Sequence, residues 1–166
     1  MDWTAIGAIG ETLGAVAVLA TLFYLAAQIR QSATSTRTAS ELHVTKMIEG
    51  WVGEMSGDEH FQGIWEKISN GEHLEFREQR RYIWWLVRYG AIAQGVYDQY
   101  EAGMVSSRCW NNVERSLVGL LQPEFARMWW DNRDGNFSPA LYDYIDPLLS
   151  KSPTWIPQGA DKYAKT

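Results

Sequence analysis

A single cysteine, Cys109, denies this chain a disulfide framework and a thiolate metal cage, and it suits a reducing cytoplasm. Basic residues are in the minority, 15 Lys and Arg against 20 Asp and Glu, for a net charge of −5. The linear sequence holds no basic cluster on which phosphates could land, so it predicts no nucleic-acid partner. Strand-like alternation is missing, as are internal repeats and a second-domain boundary in the polar part. Catalytic signatures are missing too: there is no GxSxG elbow, Walker loop, GxGxxG, HExxH, CxxC or EF-hand loop. A di-iron bundle needs Glu-x-x-His pairs, yet Ser40, Gly57 and Asn70 stand three residues before His43, His60 and His73. His60 and His73, each beside a carboxylate, read as solvated turn histidines rather than metal ligands. The sequence thus assigns no catalytic residue, no metal ligand and no cofactor.

What the chain does have starts at its N-terminus. Residues 5–27 read AIGAIGETLGAVAVLATLFYLAA, with Glu11 as the one charge and no proline. At about 1.5 Å per residue such a helix covers roughly the hydrocarbon core of a bilayer. A buried core helix rarely needs so long an apolar run, and a cleaved signal would carry a basic n-region where only Asp2 stands. A retained transmembrane anchor over residues 1–31 is therefore expected. Arg30, Arg37 and Lys46 follow the run and no basic side chain precedes it, so the positive-inside rule puts the N-terminus outside and the rest in the cytoplasm. Trp3 and Tyr24 suit the two membrane interfaces.

Gly7, Gly10, Gly14, Ala17 and Thr21 recur at spacings of three and four, and Tyr24 and Gln28 extend the line. Small residues on one helical face let a second helix approach closely, which is how helices associate in lipid. Glu11 lies beside this face. A carboxylate at the bilayer centre costs about 2.5–3.5 kcal/mol, so Glu11 reads as a protonated or water-reaching acid that hydrogen-bonds a neighbouring helix, ahead of an ion-handling group.

Residues 32–150 are expected to form one cytoplasmic helical domain, large enough for its own core. The hydroxylated stretch 31–40 reads either as a loop or as more of the first helix. Beyond it, Val44, Met47, Ile48, Trp51, Val52 and Met55 share one face, and Ser56–Gly57 ends the run. Asp58 caps a short helix closed by Asn70–Gly71. The longest soluble helix spans about residues 75–101, with Tyr82, Trp85, Leu86, Tyr89, Ile92, Ala93, Val96, Tyr97 and Tyr100 inward. A second stripe, Trp84, Val87 and Ala91, predicts burial on several sides. Gly103 stops it, and Ser106 or Ser107 starts a helix that turns Trp110 inward. Pro123 and Ser138–Pro139 each open another, and Pro147 is expected to limit the last. Residues 151–166 have two prolines and no period, which predicts an extended tail. Nine Trp and eight Tyr imply a large buried area, and the expected core includes Trp51, Trp65, Tyr82, Trp85, Tyr89, Trp110 and Trp129. Arg88 and Asp98 are the candidates for buried polar partners, and Cys109 reads as an inert core thiol.

Three segments, YLAAQIRQ at residues 24–31, YDQYEAG at 97–103 and WWDNRDGNFSP at 129–139, together resemble an uncharacterised family of small bacterial membrane-anchored helical proteins. The resemblance spans nearly the whole chain and rests on pattern. It implies a bacterial inner-membrane protein and carries over no catalytic residue.

The sequence therefore predicts an all-α protein, a single transmembrane helix followed by a cytoplasmic bundle. Its expected partners are the lipid bilayer and either further copies of itself or a larger membrane complex for which it is an accessory subunit. Two other readings compete: an enzyme on a lipid-like substrate with a site assembled from scattered residues, and an ion path through a ring of Glu11 carboxyls.

Overall fold

The structure, a computed structural model, describes residues 3–133 and 135–151, with the side chains of residues 3–10 and 12 outside the description. The described residues form six helices and no strand: α1 (Trp3–Gly57), α2 (Glu59–Ser69), α3 (Phe76–Glu101), α4 (Ser107–Leu120), α5 (Glu124–Asp131) and α6 (Pro139–Lys151). The chain divides into two compact units, Met1–Ala39 and Ser40–Thr166.

α1 continues without a break through the hydroxylated stretch, so the helical alternative holds there. No proline or glycine lies between Gly14 and Gly50. The threonines stay helical by donating to carbonyls four residues back, Thr34 to Arg30 at 3.0 Å and Thr38 to Thr34 at 3.1 Å.

In the second unit the helix boundaries follow from local chemistry. Asp58 accepts hydrogen bonds from the backbone of His60 and Phe61 at the start of α2. Ser106 accepts from Cys109 N–H to start α4, and Ser138 from Leu141 N–H to start α6. Gly71 and Gly103, each with φ +70°, close α2 and α3 with paired bonds from the two residues past the cap, including Glu72 N–H to Lys67 O and Met104 N–H to Gln99 O, both 2.8 Å. Pro123 differs slightly from expectation. It sits at the N-cap of α5, not at the first helical position, with ψ 137°.

α3 is the hub, packed against α2, α4 and α5, while α6 packs on α4. Aromatic contacts fill the core. Trp51 of α1 meets Tyr89 at 4.6 Å between centroids, Trp110 meets Tyr97 at 5.1 Å and Tyr144 at 5.5 Å, and Trp130 meets Tyr142 at 4.6 Å. Buried hydroxyls are bonded: Tyr82 donates to Leu120 O at 2.8 Å and Tyr89 to Val113 O at 3.4 Å.

Of the expected core, Trp51, Tyr82, Tyr89 and Trp110 are buried, whereas Trp65, Trp85 and Trp129 are half-buried at its edge. Five expectations are corrected. The second stripe of α3 faces outward, with Trp84 and Ala91 exposed and Val87 half-buried, because the core lies on one side of the helix only. Val52 is exposed for the same reason on α1. Pro147 does not end α6, which runs on to Lys151. The proline forfeits its own N–H bond, but the buried Leu149 holds the last turn against the core. Arg88 and Asp98 are exposed rather than buried. Of the extended tail expected over residues 151–166, Lys151 belongs to α6 instead, and residues 152–166 lie outside the described residues.

Candidate functional site

In the first unit every described side chain from Leu13 to Ala39 is exposed. Among them are Val16, Leu19, Leu22 and Phe23, the last 76% exposed. One helix, in its part from Leu13 onward, is long and apolar enough to cross a membrane: its most apolar window has mean hydropathy 1.6 and none of it is buried within the chain.

The expected packing seam can be placed on this helix in part. Gly14 has no atom within 4 Å of where a Cβ would stand, and Ala17, Thr21 and Glu11 are exposed. The Thr21 hydroxyl donates to Ala17 O at 2.8 Å, so its polarity is satisfied within the helix. Gly7 and Gly10 fall among the residues whose side chains lie outside the description. The spacing of three and four does not stop at the apolar end. It continues through Tyr24, Gln28, Gln31, Ser35, Thr38, Leu42 and Thr45, all exposed. Tyr24, Gln28, Gln31 and Ser35 also line a surface depression of about 450 Å³. A strict repeat of seven drifts by about 20° per heptad around a straight helix, so a partner following the stripe would wind left-handed.

The second unit carries two adjoining grooves. One, about 600 Å³, is lined by Leu74, His73, Glu72, Gln122, Glu124 and Phe125 among others. The next, about 520 Å³, lies between α3 and α5 against Phe76, Arg80, Ile83, Trp84, Met128 and Trp129. Among the described residues no three of His, Cys, Asp and Glu converge as metal ligands would. His43, His60 and His73 are all exposed.

The polar candidates have structural partners. Arg88 grips Glu54 of α1 with both guanidinium nitrogens, one contact at 3.0 Å, and this hydrogen bond holds the Glu54 carboxyl below its ordinary range. Asp98 accepts from Gln94 at 2.8 Å on its own helix. Lys67 and Glu78 pair at 2.6 Å, tying α2 to α3. Cys109 is half-buried, and burial followed by the nearby Glu41 carboxylate pushes its thiol up, away from the reactive thiolate. Glu41 also accepts the backbone N–H of Ser106 at 2.8 Å, joining α1 to the start of α4 across 65 residues.

One surface feature escaped the linear reading, which found no basic cluster. In the fold, Arg77, Arg80, Arg81 and Arg88 project from one side of α3 together with Trp84. Helical periodicity was the signal that could have found it, since these positions lie within an arc of about 100°.

Among the described residues, fold and site define an all-helical protein with one long apolar helix whose described side chains from Leu13 to Ala39 are all exposed. No protein-family model, curated protein or solved structure matches the chain.

Proposed function

We propose that this is a single-pass protein of the bacterial inner membrane, with its N-terminus outside and its helical domain in the cytoplasm, that self-associates or serves as an accessory subunit of a membrane complex. The observation that carries the reading is the wholly exposed apolar stretch of α1. Side chains such as Leu19, Leu22 and Phe23 each leave apolar area in water at about 25 cal/mol per Å² unless lipid or another chain covers them. The basic residues Arg30, Arg37 and Lys46, all after the apolar run, support the orientation. The resemblance carried by residues 24–31, 97–103 and 129–139 supports the bacterial inner membrane.

Self-association is supported by the small-residue stripe. Gly14, Ala17 and Thr21 offer a smooth face, and an acid beside it gains a partner when two helices meet. The test is native mass of the full chain in mild detergent. Gly14→Leu should weaken the assembly by crowding the contact, and Leu19→Ala, off the stripe, should matter less. Two variants that both keep the parent's mass and dissociate at the same detergent concentration would remove the seam from the interface.

A further inference from the structure

The outward side of α3 is unlike the rest of this acidic chain. Arg77, Arg80, Arg81, Trp84, Arg88 and Ala91 are all exposed there. Arg88 is paired with Glu54, but Arg77, Arg80 and Arg81 have no ion-pair partner among the described residues. Arg80 stacks over the Phe76 ring at 5.9 Å. Phe76 and Trp84 are 72% and 66% exposed, and beside them opens the apolar groove between α3 and α5, flanked by the exposed Met128. Three cations with no ion pair among the described residues therefore border large apolar side chains that are exposed.

We propose that this face docks on the surface of a bilayer that carries anionic phospholipid headgroups, with Arg77, Arg80 and Arg81 on the phosphates and Trp84 and Phe76 entering the interfacial layer. The proposal rests on the membrane-anchored reading of α1. Charge complementarity supplies the attraction, at about 1 kcal/mol for each basic side chain near an anionic surface. Tryptophan is the side chain most at home at the headgroup level, apolar in its rings and polar at its N–H. Magnitudes favour lipid over a partner recruited from solution. Each arginine near an anionic surface strengthens binding about fivefold, so three give about 10²-fold, too little to capture a free protein. A domain already tethered to the membrane works at an effective concentration in the millimolar range, where that gain decides between docked and free. Within the first unit, Thr34 and Thr38 donate to the carbonyls four residues back, and hydroxyls bonded in this way tend to bend helices.

The test uses the full chain with Cys109→Ser and Ala91→Cys, labelled at position 91 with a polarity-sensitive dye. The protein is reconstituted into vesicles of phosphatidylcholine, alone or mixed with phosphatidylglycerol. The dye should report an apolar setting only with phosphatidylglycerol, and high salt should reverse it. Changing Arg77, Arg80 and Arg81 together to Ala should lower the docked fraction constant about 10²-fold. Changing all three to Lys should keep most of it, because a surface potential reads charge rather than fork geometry. A dye that stays in water with phosphatidylglycerol overturns the proposal. So does an apolar shift that appears equally in pure phosphatidylcholine, grows with the protein-to-lipid ratio, or comes only on adding polyglutamate. The last two outcomes would assign the face to a second copy or to an acidic protein. Failure of the anchor is seen separately, as a chain that does not float with pure phosphatidylcholine vesicles at all.

Discussion

Phe137 lies directly over Gly90. A Cβ built on that glycine would stand 2.7 Å from the ring's Cε1 and closer still to Cζ. The ring is held from its other sides by Trp130, Trp129 and Tyr142, so it has little room to retreat. The loop before α6 is thus seated on α3 through the absence of one methyl group. Gln94, one turn further along α3, reinforces the seat by accepting Ser138 N–H at 2.8 Å.

Gly90→Ala should therefore destabilise the domain, although alanine is the better helix former by about 1 kcal/mol. Overpacking of this kind costs about 1–3 kcal/mol, which outweighs the propensity gain or cancels it. Gly95→Ala, on the same helix with open space around it, should stabilise by up to about 1 kcal/mol. Thermal unfolding of both variants makes the comparison. If Gly90→Ala melts as high as Gly95→Ala, the ring does not press on α3.

Burial pushes the phenols of Tyr82 and Tyr89 up from their ordinary values. Unfolded tyrosine ionises near pH 10, so the folded state keeps protons that the unfolded state gives up above it. Their contribution is complete below about pH 10 and is lost as pH rises through the folded values. The unfolding midpoint should be insensitive to this effect up to about pH 10 and fall beyond it. Tyr82→Phe should cost about 1 kcal/mol at neutral pH by removing the bond to Leu120 O, and should make the alkaline fall shallower. An identical alkaline slope in the variant would show that Tyr82 is not the group responsible.

Sequence reasoning read helix ends better than helix faces, for a physical reason. Asp58, Ser106, Ser138, Gly71 and Gly103 act through bonds to backbone within a few residues, so their roles depend on local chain alone. Which of the adjacent Trp84 and Trp85 points inward depends on where α2, α4 and α5 dock, and both stripes of α3 are apolar enough to be core. The same limit hid the ties made across the fold. Arg88 reaches Glu54 and Ser106 reaches Glu41 over separations of 34 and 65 residues that no pattern in the chain marks. On α1 the small-residue stripe was readable as far as Gln28, and its continuation to Thr45 followed only once the helix was unbroken.

Two of the tryptophans expected in the core, Trp110 and Trp85, should now separate. Trp110 is fully buried, so Trp110→Ala should cost about 3–5 kcal/mol. Trp85 is half-buried, meets Phe61 edge-on at 5.4 Å, and lends only its backbone carbonyl to the Trp51 indole. Trp85→Ala should cost clearly less. Denaturant midpoints of the two variants decide it, and equal losses would put Trp85 inside.

Orientation is open to direct labelling. On a Cys109→Ser background, Asp2→Cys should react with an impermeant thiol reagent on spheroplasts, and Lys162→Cys should react only after lysis. The reverse pattern would overturn the positive-inside assignment.

The stripe beyond the apolar run offers the sharpest separation of seam from composition. Ser35 lies on it, at the first position of the seven-residue repeat, and Ala33 lies on the opposite side of α1; both are exposed. If copies of α1 pair along this line, Ser35 faces its counterpart, and a leucine there converts a polar gap into a buried contact. Ser35→Leu should tighten the assembly by about 1.5–3 kcal/mol per buried side chain. Ala33→Leu adds the same kind of side chain where no partner helix lies and should leave association unchanged. Dilution of each variant in mild detergent, followed by native mass, measures the shift. Equal tightening by both would mean that leucine promotes association wherever it is placed, and the three-and-four spacing would not define the interface.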